Sequence, residues 1–455
     1  PFEWYMFDGG AQDTSMTFKI RLVFSGSVDR DTWTGAVCHA VRRHPLLRAQ
    51  ITGSKVKKLA WIPASHPVPY LDYGDLDKPV RYPVEEKIDL RRETGLRIWV
   101  RSDDERTEMH FQFHHACCDG IGAYRVLEDM MCAYDLNING DTSEAGLRPL
   151  ESARLEDRTK LYLQRPAKSR REKRDLFHPL RKAVGFFCKL PQGVRCGWRR
   201  RFDGDRRASV ASFATHTFSA AQTRSLRSVA ARHAGSSNDL LMRDLFLAVD
   251  DWNNCGETKD TSGMLRMMLP VTQRTPEEDE LFPAANRVSM VKLDRDRSDL
   301  SDHEELLSGI IREIRQIRPL KRDLTFHRVA RIIAAVPPLR WYMRRRAQRG
   351  YATTVLSQTG NVFSRAKLPR KRGIVQSGGL TLEAVDGAPP VNPFTPVSFA
   401  TIWYAKRLTI TMSFEPSCFT QHQADALLAA YVHRIQSSIA ATPNAEVAAI
   451  AADAA

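Results

Sequence analysis

The stretch on which the reading turns is His110-Phe111-Gln112-Phe113-His114-His115-Ala116-Cys117-Cys118-Asp119-Gly120. Met109, Phe111 and Phe113 alternate along it, the period-2 pattern of a strand with one buried face. Six side chains that can hold a metal or move a proton follow or interleave: His110, His114, His115, Cys117, Cys118 and Asp119. A zinc site would use such residues, but Cys117 and Cys118 are adjacent and diverge, and no second ligand cluster with zinc-like spacing stands elsewhere. A cysteine nucleophile paired with a histidine is a second chemistry, but sequence neighbours rarely reach each other in the geometry it needs. The third is a histidine acting as general base at the end of a buried strand. Imidazole titrates near neutrality and can take a proton from a hydroxyl or amine attacking a carbonyl. The strand supplies rigidity, and Asp119 followed by Gly120 in a tight turn would tie the loop down. The residues favour this third reading.

Outward from this segment the chain reads as two halves. Phe18, Ile20, Leu22 and Phe24 alternate with Lys19 and Arg21, giving a strand over Thr17–Ser25. Asp29 or Asp31 then caps a helix carrying Trp33, Val37, Ala40 and Val41, which ends at His44-Pro45. Leu96, Ile98 and Val100 form another alternating run, and a helix over about Ile121–Tyr134 follows the histidine loop. After a basic stretch the pattern restarts with a strand over Ser212–Phe218. Capping boxes are expected at Ser219/Gln222, Ser301/Glu304 and Thr420/Gln423. A helix over Leu240–Trp252, strands over Met264–Val271 and Arg287–Leu293, and a hairpin over Val397–Phe414 turning at Ala405-Lys406 complete the second half. Strands and helices mix in similar order in both, which predicts two similar α/β lobes. The boundaries are an N-terminal lobe at 1–150, a basic connector at 151–209 and a C-terminal lobe at 210–455.

The 455 residues are 42% hydrophobic and 27% charged, a globular composition that excludes collagen-like, coiled-coil and wholly disordered chains. No uninterrupted apolar run approaches the ~18 to 20 residues of a membrane span. The eight cysteines contain no C-x-x-C pair, which suits reduced thiols, and no signal peptide is visible; a cytoplasmic protein, at most attached to a membrane surface, is expected. Between Arg154 and Arg207 stand 18 Lys and Arg against 6 Asp and Glu, so this segment carries most of the net charge of +15. Phe177, Phe186, Phe187, Trp198 and Phe202 lie among these charges without any recognised nucleic-acid motif, and nucleic-acid binding is not expected. A solvated connector is the first reading, and binding of anionic lipid or an acidic partner protein the next. A second basic-aromatic stretch, from Leu324 to Gly350 with Trp341 and Tyr342, suits peripheral membrane contact or a surface helix.

His114-His115-Ala116-Cys117-Cys118-Asp119-Gly120 resembles H-H-x-x-x-D-G, the signature of the chloramphenicol-acetyltransferase-like superfamily, which includes condensation domains and wax-ester synthase/diacylglycerol acyltransferases. Arg43-His44-Pro45-Leu46-Leu47-Arg48-Ala49 is similar to the R-H-x-x-L-R-T segment of condensation domains. Asn286-Arg287-Val288-Ser289 and Leu356-Ser357-Gln358-Thr359-Gly360 are similar to the N-x-V-S and V-S-N-x-x-G segments of wax-ester synthases. The D-F-G-W-G motif of the plant acyltransferases is absent, with Asn392-Pro393-Phe394 near its place. Gln358 stands for the usual Asn, and Ala285 for the Gly before Asn286.

The resemblance implies two lobes, each a mixed sheet with flanking helices, around a tunnel. His115 would be the catalytic base. His114 and Gly120 would support its loop, and Asp119 would form a structural ion pair with Arg48. Ser357, Gln358 and Thr359 are candidate substrate contacts. The implied activity is acyl transfer from a coenzyme A or phosphopantetheine thioester to a hydroxyl or amine of a small-molecule or lipid acceptor, with no bound cofactor or metal. A stand-alone condensation-type domain joining carrier-bound substrates, and a non-catalytic binding protein, are the alternatives.

Overall fold

A computed structural model describes residues 3, 6–7, 16–53, 59–82, 87–141, 146–158, 189–196, 212–255, 263–275, 280–317, 350–391 and 395–440. The aromatic-basic part of the connector, most of Leu324–Gly350 and Asn392–Phe394 lie outside the described residues. In chain order the first half runs β1 (Thr17–Ser25), α1 (Arg30–Arg43), β2 (Ala49–Thr52), β3 (Ala60–Pro63), β4 (Tyr70–Gly74), β5 (Leu96–Ser102), β6 (Arg106–His114) and α2 (Gly120–Ile138). The second runs β7 (Phe213–Phe218), α3 (Ala220–Arg232), α4 (Ser237–Asn254), β8 (Met264–Thr272), β9 (Val288–Asp296), α5 (His303–Arg315) and β10 (Thr354–Asn361). It closes with β11 (Arg370–Lys371), β12 (Ile374–Ser377), β13 (Leu380–Ala388), β14 (Val397–Tyr404), β15 (Arg407–Phe414) and α6 (Gln421–Ala440).

Two mixed sheets organise these elements, in the orders β11-β12-β13-β1-β6-β5-β4 and β7-β15-β14-β10-β8-β9. Each buries one face against helices. Ile20, Leu22 and Phe111 pack with Trp33 of α1 and Met130 of α2, while Met267, Ile410 and Phe399 pack with Leu245 of α4 and Tyr431 of α6. The alternation read in β5 is real, but its other face is buried too: Arg97, Trp99 and Arg101 are almost fully enclosed. Their guanidinium groups pair with Glu93 and Asp72, which is what permits charged residues there.

Local signals place most element ends. Asp29 Oδ1 caps α1 through the Thr32 amide, and Ser219/Gln222 and Thr420/Gln423 form the expected reciprocal caps. At α5 the cap is Asp302, not Ser301: its carboxylate accepts from the Glu304 and Glu305 amides, whereas the Ser301 hydroxyl donates back to the Ser298 carbonyl. The β14–β15 hairpin turns on Ala405 and Lys406, both at positive φ, the backbone a two-residue turn between twisted strands requires.

The division of the second half needs a correction. Residues 370–388 return to the first sheet, where β13 pairs antiparallel with β1. Phe282, Ala284 and Ala285 also sit in the first lobe's core. The C-terminal half therefore supplies both the second lobe and part of the first.

One feature of the second sheet bears on the site. β10 pairs in parallel with β8 only at Thr354 and Val355; from Leu356 onward its partner is β14, while β8 continues against β9. The strands part there, and the wedge between them opens toward the end of β10 that carries Ser357, Gln358 and Thr359.

Candidate active site

The loop 115–119 leaves β6 at the centre of the first sheet and enters α2 at Gly120. Its backbone is tied on both sides: the His114 amide donates to the Gly95 carbonyl at 2.9 Å and the His115 amide to the Met16 carbonyl at 2.8 Å. Asp119 caps α2, its Oδ1 accepting from the Gly122 amide at 2.8 Å. Gly120 is the first helical residue and has no positive φ, so the chain turns into α2 there without a left-handed residue. A Cβ built there would lie in ordinary contact, 3.6 Å from the Thr359 methyl group at the end of β10, so neither backbone conformation nor space demands a glycine.

The expected ion pair between Asp119 and Arg48 does not form. Arg274, just past β8, donates to Asp119 Oδ2 at 2.6 Å, and the Arg287 amide adds a bond of 2.8 Å to the same oxygen. Arg48 instead closes a half-buried turn after α1. The reason is reach: Arg274 comes from the lobe facing the loop, and its second nitrogen binds the Ala285 carbonyl at 2.7 Å. Burial pushes the Asp119 carboxyl up, but Arg274 and the two backbone donors outweigh it and hold it below the usual carboxylate range.

The two histidines divide. His114 is buried, and its Nδ1 accepts from the Ala116 amide at 3.1 Å. Burial, helped by the neighbouring His115, pushes its pKa down to about 3, so it stays neutral and serves the loop. The His115 ring packs edge-on against Phe18 at 5.1 Å. The residue as a whole is partly exposed, yet the ring is set deep enough that burial lowers its pKa, the Asp119 charge opposing that shift.

Asn286 frames that ring. Its Nδ2 lies 2.8 Å from the His115 carbonyl oxygen and 3.0 Å from Nδ1, while its Oδ1 accepts from the Val288 amide at 3.3 Å. These contacts fix the amide with its NH2 toward the histidine. A proton on Nδ1 leaves the Nε2 lone pair free but sets an N–H against the Asn286 NH2. A proton on Nε2 instead lets Asn286 donate to Nδ1. Only the first tautomer presents a base through Nε2.

The wedge in the second sheet meets this loop at both lips. Thr359, on β10, abuts Gly120; Asn286 and Arg287, just before β9, hold His115 and Asp119. Gln358 Nε2 is buried without a hydrogen-bond partner, and Thr359 Oγ1 donates to the Thr401 carbonyl at 3.0 Å. Cys117 and Cys118 are buried and their thiols pushed well up, which leaves no thiolate for nucleophilic attack. Among the described residues no three His, Cys, Asp or Glu side chains converge as metal ligands would, and no helix is long and apolar enough to cross a membrane.

Sequence reasoning did not assign roles to Arg274 or Asn286. Asn286 stood in a recognised segment without a function; Arg274 had no local signal, being 155 residues from its partner.

No protein-family profile and no curated protein matches the chain. Solved structures do. The first condensation domain of the calcium-dependent antibiotic synthetase, in complex with a substrate analogue, aligns with a TM-score of 0.67 at 13% identity, over 96% of this chain and 95% of that one. The starter condensation domain of rhizomide synthetase, a mutant in complex with C8-CoA, aligns at 0.62 and 13%, over 96% and 93%. Polyketide synthase associated protein 5 from Mycobacterium tuberculosis aligns at 0.62 and 14%, over 96% of each chain. The chain thus has the two-lobed fold of condensation domains and chloramphenicol-acetyltransferase-like proteins, over nearly its whole length.

Proposed function

We propose that this chain, built on the condensation-domain fold, is an acyltransferase with His115 as general base. The observation that carries the reading is His115 itself: deeply set, still partly exposed, and held by Asn286, whose Nδ2 lies 3.0 Å from Nδ1 and 2.8 Å from the residue's carbonyl oxygen. Nε2 takes the proton of an acceptor hydroxyl or amine as its oxygen or nitrogen attacks the thioester carbonyl. The new C–O or C–N bond forms, the C–S bond breaks, and the imidazolium returns its proton to the leaving thiolate. Asp119, bound to Arg274, holds the loop and does not touch substrate. Ser357, Gln358 and Thr359 line the wedge, and the free Gln358 Nε2 is the group we assign to the carbonyl oxygen as negative charge develops.

The donor is a thioester of coenzyme A or of a phosphopantetheine arm, and the acceptor a small molecule or lipid. C8-CoA and Leu-SNAC in the rhizomide synthetase complexes support a thioester donor and an amine acceptor for that fold, and so favour amide formation on carrier-bound substrates as the second reading. An acidic carrier protein suits the positive charge of the segment Arg154–Arg207. Thiol release measured on acyl-coenzyme A donors, against the same acyl groups on a carrier protein, with mixed alcohols and amines, tests both. Release that His115→Ala leaves undiminished would overturn the assignment.

A further inference from the structure

The residues that complete the His115 frame arrive on a segment of the C-terminal half that docks into the N-terminal lobe. Phe282, Ala284 and Ala285 are buried in that lobe's core. The Leu281 carbonyl accepts from the Glu151 amide at 2.8 Å, and the Arg287 guanidinium stacks on Phe282 at 4.4 Å. In the middle of the segment the Ala284 amide donates to His44 Nδ1 at 2.9 Å. His44 is 1% exposed, at the C-terminal end of α1, and its Nε2 faces Asp129 Oδ2 at 3.4 Å. Accepting at Nδ1 leaves that nitrogen without a proton and places a ring N–H on Nε2, on the side of that carboxylate. Two residues beyond Ala284 stands Asn286.

We infer that His44 is a positioning residue: by accepting the Ala284 amide it sets the height of the segment and thereby the distance from the Asn286 amide to the His115 ring. The inference rests on His115 being the base, and extends it to a residue 71 positions away in sequence that touches neither His115 nor substrate. Catalytic geometry is then completed only when the two halves are docked through this bond. A displaced Asn286 removes an N–H from beside Nδ1, which lets the ring hold a proton more easily, and frees the ring to turn.

The test compares two amides at position 44 in the full chain. Asn places its Oδ1 near the position of Nδ1 and keeps the acceptor; Gln places its amide near Nε2 and loses it. His44→Asn is expected to keep kcat within about twofold of wild type, and His44→Gln to lower it about 10- to 100-fold with KM little changed. The second readout needs no substrate: the midpoint of the His115 imidazole, followed by NMR and assigned by its loss in His115→Ala, moves up in His44→Gln and Asn286→Ala but not in His44→Asn. If His44→Gln does not fold, Ala284→Pro, which deletes the donor and leaves His44 in place, should shift the midpoint in the same way. Equal behaviour of the Asn and Gln variants, or an unmoved His115 midpoint in both His44→Gln and Ala284→Pro, would overturn the inference. Absence of turnover on every donor would instead count against acyl transfer, and the NMR midpoint would still decide the role of His44.

Discussion

Asp119 and Arg274 meet at 2.6 Å across the boundary between the two lobes, with side chains 2% and 4% exposed. A buried carboxylate needs a bonded counter-charge, and breaking such a pair by removing one partner strands the other.

Arg274→Met and Asp119→Ala are each expected to cost about 3–5 kcal/mol, the double variant much less than their sum, and Arg48→Ala to stay within about 0.5 kcal/mol of wild type. Urea unfolding of the four proteins measures this. A large loss in Arg48→Ala with none in Arg274→Met would contradict the pairing.

Stability should fall steadily as pH drops below neutrality. The folded-state pKa of His114 is near 3, against 6.5 for the free side chain, so between those values the unfolded chain binds the extra proton and unfolding gains. Asp119, also depressed, adds its contribution above the ordinary carboxylate pKa and loses it as pH falls through the folded value. His114→Asn should flatten the slope between pH 6.5 and about 4, whatever its offset in absolute stability; an unchanged slope would place the titrating group elsewhere.

His115→Ala should lower turnover by roughly 10² to 10⁴-fold while the melting transition survives. Because burial depresses the His115 pKa, the acid limb of kcat/KM is expected below pH 6.5. A limb at pH 8 would point to a different base.

Alkylation separates the thiols. Iodoacetamide at pH 8 should label exposed Cys255 rapidly and leave Cys117 and Cys118 unmodified in the folded protein, with thiol-release activity kept. Loss of activity in step with labelling of Cys117 would revive the cysteine nucleophile.

How far the sequence carried this reading depends on the range over which each signal acts. The alternation of Phe18 to Phe24 gave β1 with its register face, and the Thr420/Gln423 pair gave the start of α6, because periodicity and capping are set within a few residues. Ser301 failed as a cap because the next residue, Asp302, offers a carboxylate better placed for the Glu304 and Glu305 amides. Arg48 failed as the partner of Asp119 for a different reason: many arginines could have met that carboxylate, and nothing in their local sequence ranks them. Gly120 was legible through the motif alone; the structure places it beside Thr359 of β10 with ordinary contact space for a Cβ.

By itself, then, the chain's sequence determined a strand ending in a paired-histidine loop, a helix following that loop, and two α/β halves. Folding in three dimensions decided that residues 370–388 and 281–287 cross back into the first lobe, that Arg274 rather than Arg48 neutralises Asp119, and that Asn286 frames His115 across 171 positions. Closing a long loop costs little more than closing a shorter one, so packing and charge complementarity choose such partners, and sequence distance does not.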